Sequence, residues 1–501
     1  MMTPEQKCRK SFDLFAQLSQ MVDEKASSSE RIDIVERELF TGLLQLGRNL
    51  LEEFLVQVGD GDVGESLEHE DRTLKRLDKL SLRMYRSIFG SLKVRRRVYA
   101  VRERQTTVAP LDAKLGLPER EHSYVLQDFM QRFCVNNAFD ESIESLEELF
   151  GLSVSKRTAE QLNQDFGEAI GRIRDDQKRK DFDHQEAEIL AVSIDGKGVP
   201  MRGTVEQKRG QPETSMQKHL RKRKEAKAAV RSKRRRYAGH GKLQKQMAWI
   251  SAVFTIDAAR RTPNDILDEM ANVGSTPRPK PVNKRIEAKM TDYIEGEKVN
   301  GQHMIFKDAA AQVAARDPES LKTLICLMDG QCSLWGLQAA YFPNAIPILD
   351  IFHASERLWK AAYCFHKENS LEADKFVGSY LRLLLEGKVD SIIRSFRARL
   401  SKLQARKRET LQAVIRYYNN NREIMKYNEY LANGYPIASG VIEGACRHLV
   451  NDRMERTGMR WQIDGAKAML NTRSAYINGE WDSMIQERIK REQERLYGQA
   501  V

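Results

Sequence analysis

The chain has 501 residues and carries 83 Lys and Arg against 71 Asp and Glu, a formal net charge of +12 at pH 7. This length allows about two to four domains with full-sized hydrophobic cores, and the cationic surplus favours a polyanionic partner. No run approaches the ~18 consecutive apolar residues of a membrane span, so nucleic acid is favoured over a membrane, and six irregularly spaced cysteines favour a reducing compartment over a disulfide framework.

The first 110 residues are predicted to form helices followed by a β-hairpin. Apolar residues recur at helical spacing within residues 1–60, which predicts a helical region interrupted at "SSSE". The Gly- and Asp-rich "VGDGDVGE" marks a break, and a short basic helix is expected after it. Period-two alternation in "FGSLKVRRRVYAVRERQTTVAP" then predicts a hairpin with one basic face in a module of residues 61–110. The alternating positions are Leu92, Val94, Arg96, Val98 and Ala100.

Residues 111–180 are predicted to be helical and to resemble a helix-turn-helix region. In "FDESIESLEELFGLSVSKRTAEQLNQDF" one helix precedes a turn at Gly151 and a second begins after a serine cap. The second helix of such a pair can enter the major groove of DNA, which makes Lys156 and Arg157 candidate DNA contacts. Helical hairpins of this composition also occur in ordinary bundles, so both interpretations stay open.

From residue 181 apolar runs of β type alternate with helical stretches, which predicts an α/β domain over 181–353. The runs are "ILAVSID", "MAWISAVFTID", "LKTLICLMDG" and "AIPILDIFH". Two of them end in Asp-Gly, at Asp195 and Asp329. A carboxylate at the end of a buried strand is costly unless it is paired or holds a cation. The two aspartates are therefore either turn residues or ligands of a divalent metal such as Mg²⁺, which prefers oxygen ligands.

A strongly basic insert, residues 205–246, separates the first two of these runs. From Lys218 to Lys245 it contains thirteen Lys or Arg and one Glu. It is either a solvated loop or an arm that contacts DNA phosphates without reading base sequence. The cations expected to contact phosphates are Arg221, Lys222, Arg223, Arg234, Arg235 and Arg236.

A third acid is expected, because a two-metal site for phosphodiester chemistry generally needs more than two carboxylates. In "YPIASGVIEGACRHLVNDRMERTGMRW" a helix would begin after a Pro- and Gly-containing break and place Glu443 and Arg447 on one face. Arg447 and Arg453 are candidate phosphate contacts beside the acid. Asp452, nine residues after Glu443, would lie about 180° around a straight helix. Asp452 and Glu455 remain rivals for the third acid, and a surface salt-bridged helix is the simpler alternative.

The stretches "SIDGKG", "LICLMDG", "ILDIFHASERLW", "YPIASGVIEGACRHLV" and "RMERTGMRW", in this order and spacing, resemble bacterial insertion-sequence transposases of the DDE class, most closely the ISKra4 family. The resemblance extends to "FGSLKVRRRVYAVRE" and "VAPLDAKLGLP" and covers roughly residues 85–480. It implies an α/β, RNase H-like catalytic core that is interrupted by a helical insertion domain at 354–432 and resumes in 433–501 with the C-terminal tail. A mainly helical N-terminal DNA-binding region would precede this core.

The same resemblance implies the site and its partners. The acidic triad maps onto Asp195, Asp329 and Glu443, which would hold two Mg²⁺ ions, with Mn²⁺ able to substitute. "DIFH" is similar to the C/DxxH signature of the relatives and indicates Asp350 and His353 as accessory residues. His353 is either a structural histidine or a residue that positions the scissile phosphate or a flipped base. The expected partners are double-stranded DNA, as transposon ends and target, and further copies of the chain in a homodimer or larger oligomer, at the nucleoid of a bacterial cytoplasm.

Zinc and two other functional classes are alternatives. None of the six cysteines forms a CxxC pair, and Cys326 lies inside an apolar run, so buried structural cysteines are favoured over zinc ligands. An RNase H-like nuclease that cuts without joining would not need the long insertion or the DNA-reading modules. A non-catalytic DNA-binding protein that retains the fold would not need all three acids. A transposase that cleaves DNA and transfers the cut strand is therefore the leading hypothesis.

Overall fold

The computed structural model describes residues 4–69, 72–101, 107–177, 186–202, 245–271, 273, 278–294, 297–456 and 458–498. Within these residues the protein is a mixed α/β structure, and no helix among them is long and apolar enough to cross a membrane. Six cations predicted to contact phosphates lie outside the described residues. They are Arg221, Lys222, Arg223, Arg234, Arg235 and Arg236.

The helices and strands are numbered in chain order. The α-helices are α1 Pro4–Ser27, α2 Ile32–Val58, α3 Pro110–Lys114, α4 Tyr124–Asn136, α5 Phe139–Phe150, α6 Lys156–Gln177, α7 Pro263–Met270, α8 Gly301–Arg316, α9 Cys332–Tyr341, α10 Ile351–Phe365, α11 Leu371–Leu385, α12 Val389–Arg399, α13 Ala405–Asn421, α14 Tyr427–Ala432, α15 Gly440–Cys446, α16 Asp452–Met454, α17 Ile463–Ile477 and α18 Trp481–Tyr497. The strands are β1 Ser66–His69, β2 Arg72–Arg76, β3 Ser81–Ser87, β4 Gly90–Arg96, β5 Tyr99–Ala100, β6 Thr107–Val108, β7 Ile189–Pro200, β8 Lys245–Ile256, β9 Val282–Met290, β10 Asp292–Ile294, β11 Glu297–Val299, β12 Thr323–Met328 and β13 Ile346–Leu349. Short 3₁₀ turns lie at Leu400–Lys402 and Arg422–Ile424, and a π-helical turn, Arg447–Asn451, joins α15 to α16.

The chain divides into two compact units. The first contains Met1–Ile173 and Gly479–Val501, and the second contains Arg174–Asn478. The last helix, α18, thus belongs to the first unit, although the sequence suggested that the whole of 433–501 forms one part of the catalytic core with its tail.

In the first unit the predicted helices before residue 60 are confirmed as α1 and α2, which pack on each other. The short basic helix expected after them is wrong, because this segment forms the strands β2 and β3. Their backbone groups pair with β1, β5 and β4, and pairing with neighbouring strands outweighs a weak local preference for helix.

The predicted hairpin alternation holds over β4 and then stops. Leu92 and Val94 are buried and Lys93 and Arg95 are exposed, as period two predicts. β4 pairs with β3 and ends at Arg96, whereas β5 joins the separate sheet β1-β2-β5-β6. The alternation therefore does not continue through one strand to Ala100, because β4 and β5 belong to different sheets.

The second unit is built on a five-stranded sheet in the order β13-β12-β7-β8-β9. β7 pairs antiparallel with β8, and β8 pairs antiparallel with β9, while β12 and β13 run parallel to β7. On one face Leu190, Val192 and Ile194 pack with Ile305 and Phe306 of α8 in a buried core. Because side chains alternate along a strand, Asp195 belongs to the opposite face, against which α15 packs.

β7 does not end at Asp195, as the sequence suggested. It continues to Pro200, because β8 pairs with it along its whole length, from Ile256 opposite Ile189 to Lys245 opposite Pro200. On its other side β7 pairs with β12 only as far as Val192. Asp195 therefore lies within a strand, beyond the point where pairing with the parallel neighbour stops.

The segment between β13 and α15 is helical and is attached to the end of the sheet by buried tyrosines. α10 packs on α11 and α13. Tyr418 donates a hydrogen bond to the Ala354 carbonyl (2.8 Å), and Tyr427 donates one to the Leu349 carbonyl (2.8 Å). Both rings are fully buried. These bonds hold α13 and α14 against the edge at which the predicted acids lie.

Candidate active site

Asp195 and Asp329 lie just beyond the paired part of two adjacent parallel strands. The last paired residues are Cys326 of β12 and Val192 of β7. Asp329 directly follows β12, and Asp195 lies three residues after Val192 on β7. The charge of Asp195 contributes to a raised pKa of Asp329, so the two carboxylates are close enough to repel each other. Both aspartates are half-buried. The structure thus brings the first two predicted acids together.

The glycine that follows each aspartate makes room for an aromatic ring. A Cβ atom on Gly196 would lie 2.8 Å from the ring of Trp249, the residue opposite it on β8. A Cβ atom on Gly330 would collide with the ring and hydroxyl of Tyr417 on α13. Neither glycine has a positive φ angle. The two Asp-Gly pairs therefore reflect close packing beside the acids and not a turn that only glycine can form.

Asp350 holds together the corner from which the third acid extends. It is fully buried, and its Oδ1 accepts hydrogen bonds from the N–H groups of Phe352 (2.6 Å) and His353 (3.2 Å), which caps α10. Its Oδ2 accepts a hydrogen bond from the N–H of Ser439, directly before α15. Its own N–H donates to the Met328 carbonyl at the end of β12 (2.9 Å). Asp350 thus ties α10 and α15 to the strand that precedes Asp329.

Glu443 lies in the first turn of α15 and is exposed. Partial burial of its carboxyl raises the pKa of Glu443, and repulsion from Asp350 and Asp195 adds to the rise, which the positive charge of His353 opposes. Glu443 is therefore close enough to Asp195 for the two charges to repel each other. The third acid faces the same charged region as the first.

The pKa of Asp329 is shifted in the same direction as that of Glu443. Burial raises the pKa of Asp329, and repulsion from Asp195 adds to the rise. A hydrogen bond from the N–H of Gln331 (2.9 Å) and attraction to His353 and Arg357 oppose it. Asp195 consequently repels both of the other acids, so the three carboxylates form one electrostatically coupled group.

The helix that carries Glu443 is not straight. The π-helical turn after α15 has the N–H of Asp452 donating to the Arg447 carbonyl, and such a turn brings residues i and i+5 next to each other. Arg447 Nε accordingly lies 3.5 Å from Asp452 Oδ1. The expectation of a straight helix, which placed Asp452 about 180° from Glu443, is therefore wrong.

The two rival acids have other partners. His448 Nδ1 lies 3.0 Å from Asp452 Oδ2, and Lys245 pairs with Glu455. Neither acid is among the charges that shift the pKa of Asp329 or Glu443. These partners, and not the phase of the helix, favour Glu443 as the third acid.

Sequence reasoning missed three side chains around the acids. Arg357 lies one helical turn after His353 on α10, with its guanidinium over the ring of Tyr417, 4.4 Å from the ring centroid. Cys446, one turn after Glu443, is buried and donates its thiol hydrogen to Asp195 Oδ2 over 3.6 Å. The spacings i+4 and i+3 on the predicted helices could have indicated Arg357 and Cys446. Tyr417 gave no comparable signal, because its place depends on how α13 packs.

The protonation of the Cys446 thiol is relevant to the zinc alternative. Burial raises the pKa of Cys446, and the negative charge of Asp195 adds to the rise. Zinc binds the deprotonated thiolate, whereas the protonated thiol is the form that donates a hydrogen bond to Asp195. Cys326 is likewise buried, and burial raises its pKa. Both placements agree with the structural cysteines that the sequence favoured.

The predicted DNA contacts fall in different environments. Arg157 is exposed at the start of α6, where Ser155 Oγ accepts a hydrogen bond from the Thr158 N–H (3.1 Å). Lys156 is also exposed but forms an ion pair with Asp140 (2.5 Å).

Of the two arginines beside the third acid, Arg447 is 72% exposed. Arg453 is fully buried, with its guanidinium 5.1 Å from the ring centroid of Trp461. A fully buried guanidinium offers no surface to a DNA phosphate, so the placement of Arg453 contradicts the DNA contact expected of it and makes it a core residue.

The carboxylates suit a hard divalent cation in their chemistry. Asp195 repels both Asp329 and Glu443, and none of the three has a cationic partner in ion-pair distance among the residues that the structure describes. A divalent ion would relieve this repulsion. Among the described residues, however, no three His, Cys, Asp or Glu side chains are already gathered into a metal-binding group. Mg²⁺ is usually held by one or two carboxylates, while water and phosphate oxygens provide the remaining ligands. Asp195 and Asp329 can supply the two carboxylates.

The functional interpretation of this site rests on its own residues, because comparison with known proteins adds no support. No protein-family model matches the chain, and no curated protein matches it.

Gly330→Ala is expected to destabilise the second unit by about 1–3 kcal/mol, because the new methyl group overlaps the ring and hydroxyl of Tyr417. Gly336→Ala is the matched control: this glycine lies inside α9 with open space at its Cβ position, and alanine there should stabilise by about 0.5–1 kcal/mol. Urea unfolding of both variants measures the difference. Equal stability of the two would show that Tyr417 does not pack against Gly330.

Asp329→Asn is expected to raise the melting temperature at neutral pH by about 1–3 °C in metal-free buffer, because the amide removes a charge that burial and Asp195 disfavour. A raised folded-state pKa means that the protonated carboxyl favours folding below its unfolded pKa of about 4, and that this contribution is lost as pH rises through the folded value. The advantage of the variant should therefore disappear near pH 4. Scanning calorimetry between pH 4 and 8 measures it, with exposed Asp268→Asn as control. A lower melting temperature of Asp329→Asn at pH 7 would contradict the repulsion.

Proposed function

We propose that this protein is a DDE-class transposase that cleaves DNA strands and transfers the cut end at a site formed by Asp195, Asp329 and Glu443. The observation that supports it most is the convergence of these acids from β7, the end of β12 and α15, with Asp195 repelling both of the others. A group of like charges weakens folding, and such groups cluster at functional sites. A bound cation would offset the repulsion between these carboxylates and would explain why the protein keeps them together.

The topology of the second unit supports an RNase H-like core. Three consecutive antiparallel strands, β7 to β9, are followed by two strands parallel to β7. Asp195 is on the central strand, and Asp329 directly follows its parallel neighbour β12. The helices α10 to α14 follow β13 and precede α15. They take the position of the helical insertion domain that the resemblance to ISKra4-type transposases implies.

The three acids act together in the proposed site. Asp195, Asp329 and Glu443 would together hold two Mg²⁺ ions, and Mn²⁺ could substitute. When bound, the ions would polarise the phosphate and promote formation of the attacking oxyanion. Arg357 places a positive charge beside the acids, and a protonated His353 adds a second one. Positive charge there reduces the repulsion that an incoming phosphate would meet.

The proposed reaction has two displacements at phosphorus. In cleavage, a water oxygen bonds to phosphorus, the bond from phosphorus to the 3′ oxygen breaks, the water loses a proton and the 3′ oxygen gains one. In strand transfer, the oxygen of this 3′ hydroxyl bonds to a phosphorus of the target DNA and loses its proton. The bond from that phosphorus to the target strand's own 3′ oxygen breaks, and this oxygen gains a proton. No oxidation or reduction is involved, so the acids and the bound ions suffice.

DNA binding and assembly are further parts of the proposal. Arg157 and Lys156 at the start of α6, exposed Arg447 beside the third acid, and the net charge of +12 suit contacts to double-stranded DNA. Joining two transposon ends to one target would use two or more copies of the chain.

Asp195→Asn, Asp329→Asn and Glu443→Gln are each expected to lower cleavage by about a thousandfold or more, because each amide removes an ionic ligand from a site that supplies several kcal/mol of transition-state stabilisation. DNA affinity should stay within about threefold. The assay uses DNA carrying the flanks of the coding sequence, with Mg²⁺ or Mn²⁺, and separates cleavage products from strand-transfer products on denaturing gels.

Asp452→Asn is the matched control, because Asp452 pairs with Arg447 and His448 away from the triad. It should retain cleavage. An inactive Asp452 variant beside an active Glu443→Gln variant would reverse the third-acid assignment. Cleavage without any transfer product would favour a nuclease, and binding without cleavage by the unaltered protein would favour a DNA-binding protein that lacks catalysis.

A further inference from the structure

Arg357 and Tyr417 form a stacked pair beside Asp329. Arg357 is on α10, one turn after His353, and Tyr417 is on α13. The guanidinium lies 4.4 Å from the ring centroid, and the Tyr417 hydroxyl packs where a side chain on Gly330 would be. The pair thus joins two helices of the segment after β13 directly to the Asp329–Gly330 backbone.

The two side chains of this pair face each other, and Arg357 acts on the Tyr417 hydroxyl through its charge and a hydrogen-bond interaction, both of which lower the pKa of Tyr417. Neither Arg357 Nε nor the Tyr417 hydroxyl, both buried, has a partner within full hydrogen-bond geometry among the described residues. Arg357 has no carboxylate within ion-pair distance among those residues, although its charge lowers the pKa of Asp329. Burial raises the pKa of Tyr417 to about 12, so its hydroxyl keeps its proton. Buried donors without acceptors are costly and call for an acceptor that binds from outside.

The charge around the pair indicates what that acceptor is. A DNA phosphate that approaches Asp195, Asp329 and Glu443 is repelled by all three, and a nearby cation offsets this repulsion. An arginine binds phosphate oxygens through a planar fork of N–H donors, and stacking on an aromatic ring holds that fork in one orientation. Arg357 over Tyr417 has this arrangement.

We propose that Arg357 and Tyr417 bind a non-bridging oxygen of a backbone phosphate on the strand that is cut, within one to three nucleotides of the scissile bond. Arg357 donates through its guanidinium and Tyr417 through its hydroxyl. This subsite rests on the proposed function, since it takes the phosphate to belong to the DNA that the acids cleave. Arg357 and Tyr417 bind substrate in this proposal and take no part in proton transfer.

The test pairs protein variants with DNA in which single phosphates are replaced by neutral methylphosphonates. Arg357→Ala is expected to lower kcat/KM by about tenfold to a hundredfold. Arg357→Lys keeps the charge but loses the fork and should recover part of the loss. Tyr417→Phe keeps the stacked ring and should lose about threefold to tenfold. Arg416→Ala, an exposed arginine next to Tyr417 on α13, should behave like the unaltered protein.

The decisive comparison is made at each phosphate within three nucleotides of the cut. At one position the methylphosphonate should weaken cleavage and binding by the unaltered protein but cause no further loss in Arg357→Ala. If every methylphosphonate lowers the activity of both proteins by the same factor, Arg357 does not bind a phosphate. Arg357→Ala could instead lose activity because its melting temperature falls. If the effect of this substitution also adds to the effect of every methylphosphonate, the stacked pair is only a structural link between α10 and α13.

Failure of this inference is distinguishable from failure of the proposed function. If the unaltered protein cleaves DNA and Arg357→Ala cleaves it equally well, only the subsite is wrong. If the unaltered protein cleaves no DNA with Mg²⁺ or Mn²⁺, the proposed function is wrong. The subsite is then judged by the dissociation constants of the same methylphosphonate duplexes, and equal losses for both proteins overturn it.

Discussion

The repulsion between Asp195 and Asp329 is the constraint around which the second unit is organised. The parallel pairing of β12 with β7 ends at Cys326 and Val192, and the two carboxylates follow within three residues of that point on each chain segment. Like charges that repel each other in this way oppose folding. The surrounding structure offsets this repulsion through a hydrogen bond from the Cys446 thiol to Asp195, a hydrogen bond from the Gln331 N–H to Asp329, and the positive charge of Arg357.

The helices after β13 complete this arrangement from outside the sheet. Asp350 fixes the start of α10 and the residue before α15 with one buried carboxylate, so the side chains of His353 and Glu443 are held on elements that share a single anchor. Tyr418 and Tyr427 fasten α13 and α14 to the same corner. The helices that follow β13 therefore bring Arg357, His353 and Glu443 to the edge of the sheet at which Asp195 and Asp329 lie.

The sequence predicted what depends on local pattern and missed what depends on packing. The apolar runs identified β7, β8, β12 and β13, and the Asp-Gly pairs identified both aspartates. The strand status of Arg72–Arg76 was missed because pairing with distant segments decides it. The π-helical turn after Cys446 was missed because no residue type in this stretch predicts such a turn. Arg453 looked like a surface cation, and only the packing around Trp461 reveals that it is buried. The partnership of Arg357 with Tyr417 likewise requires the fold.

The most direct measurement is the position of a divalent cation in crystals of the protein soaked in Mn²⁺, located by anomalous diffraction. The proposed site predicts an anomalous peak between Asp195 and Asp329, within about 2–2.5 Å of an oxygen of each carboxylate, and the loss of that peak in crystals of Asp195→Asn. Binding of DNA is expected to strengthen the peak, because phosphate oxygens add ligands. Crystals that contain saturating Mn²⁺ and DNA but show no peak beside these two aspartates would contradict a metal-dependent site at this edge of the sheet.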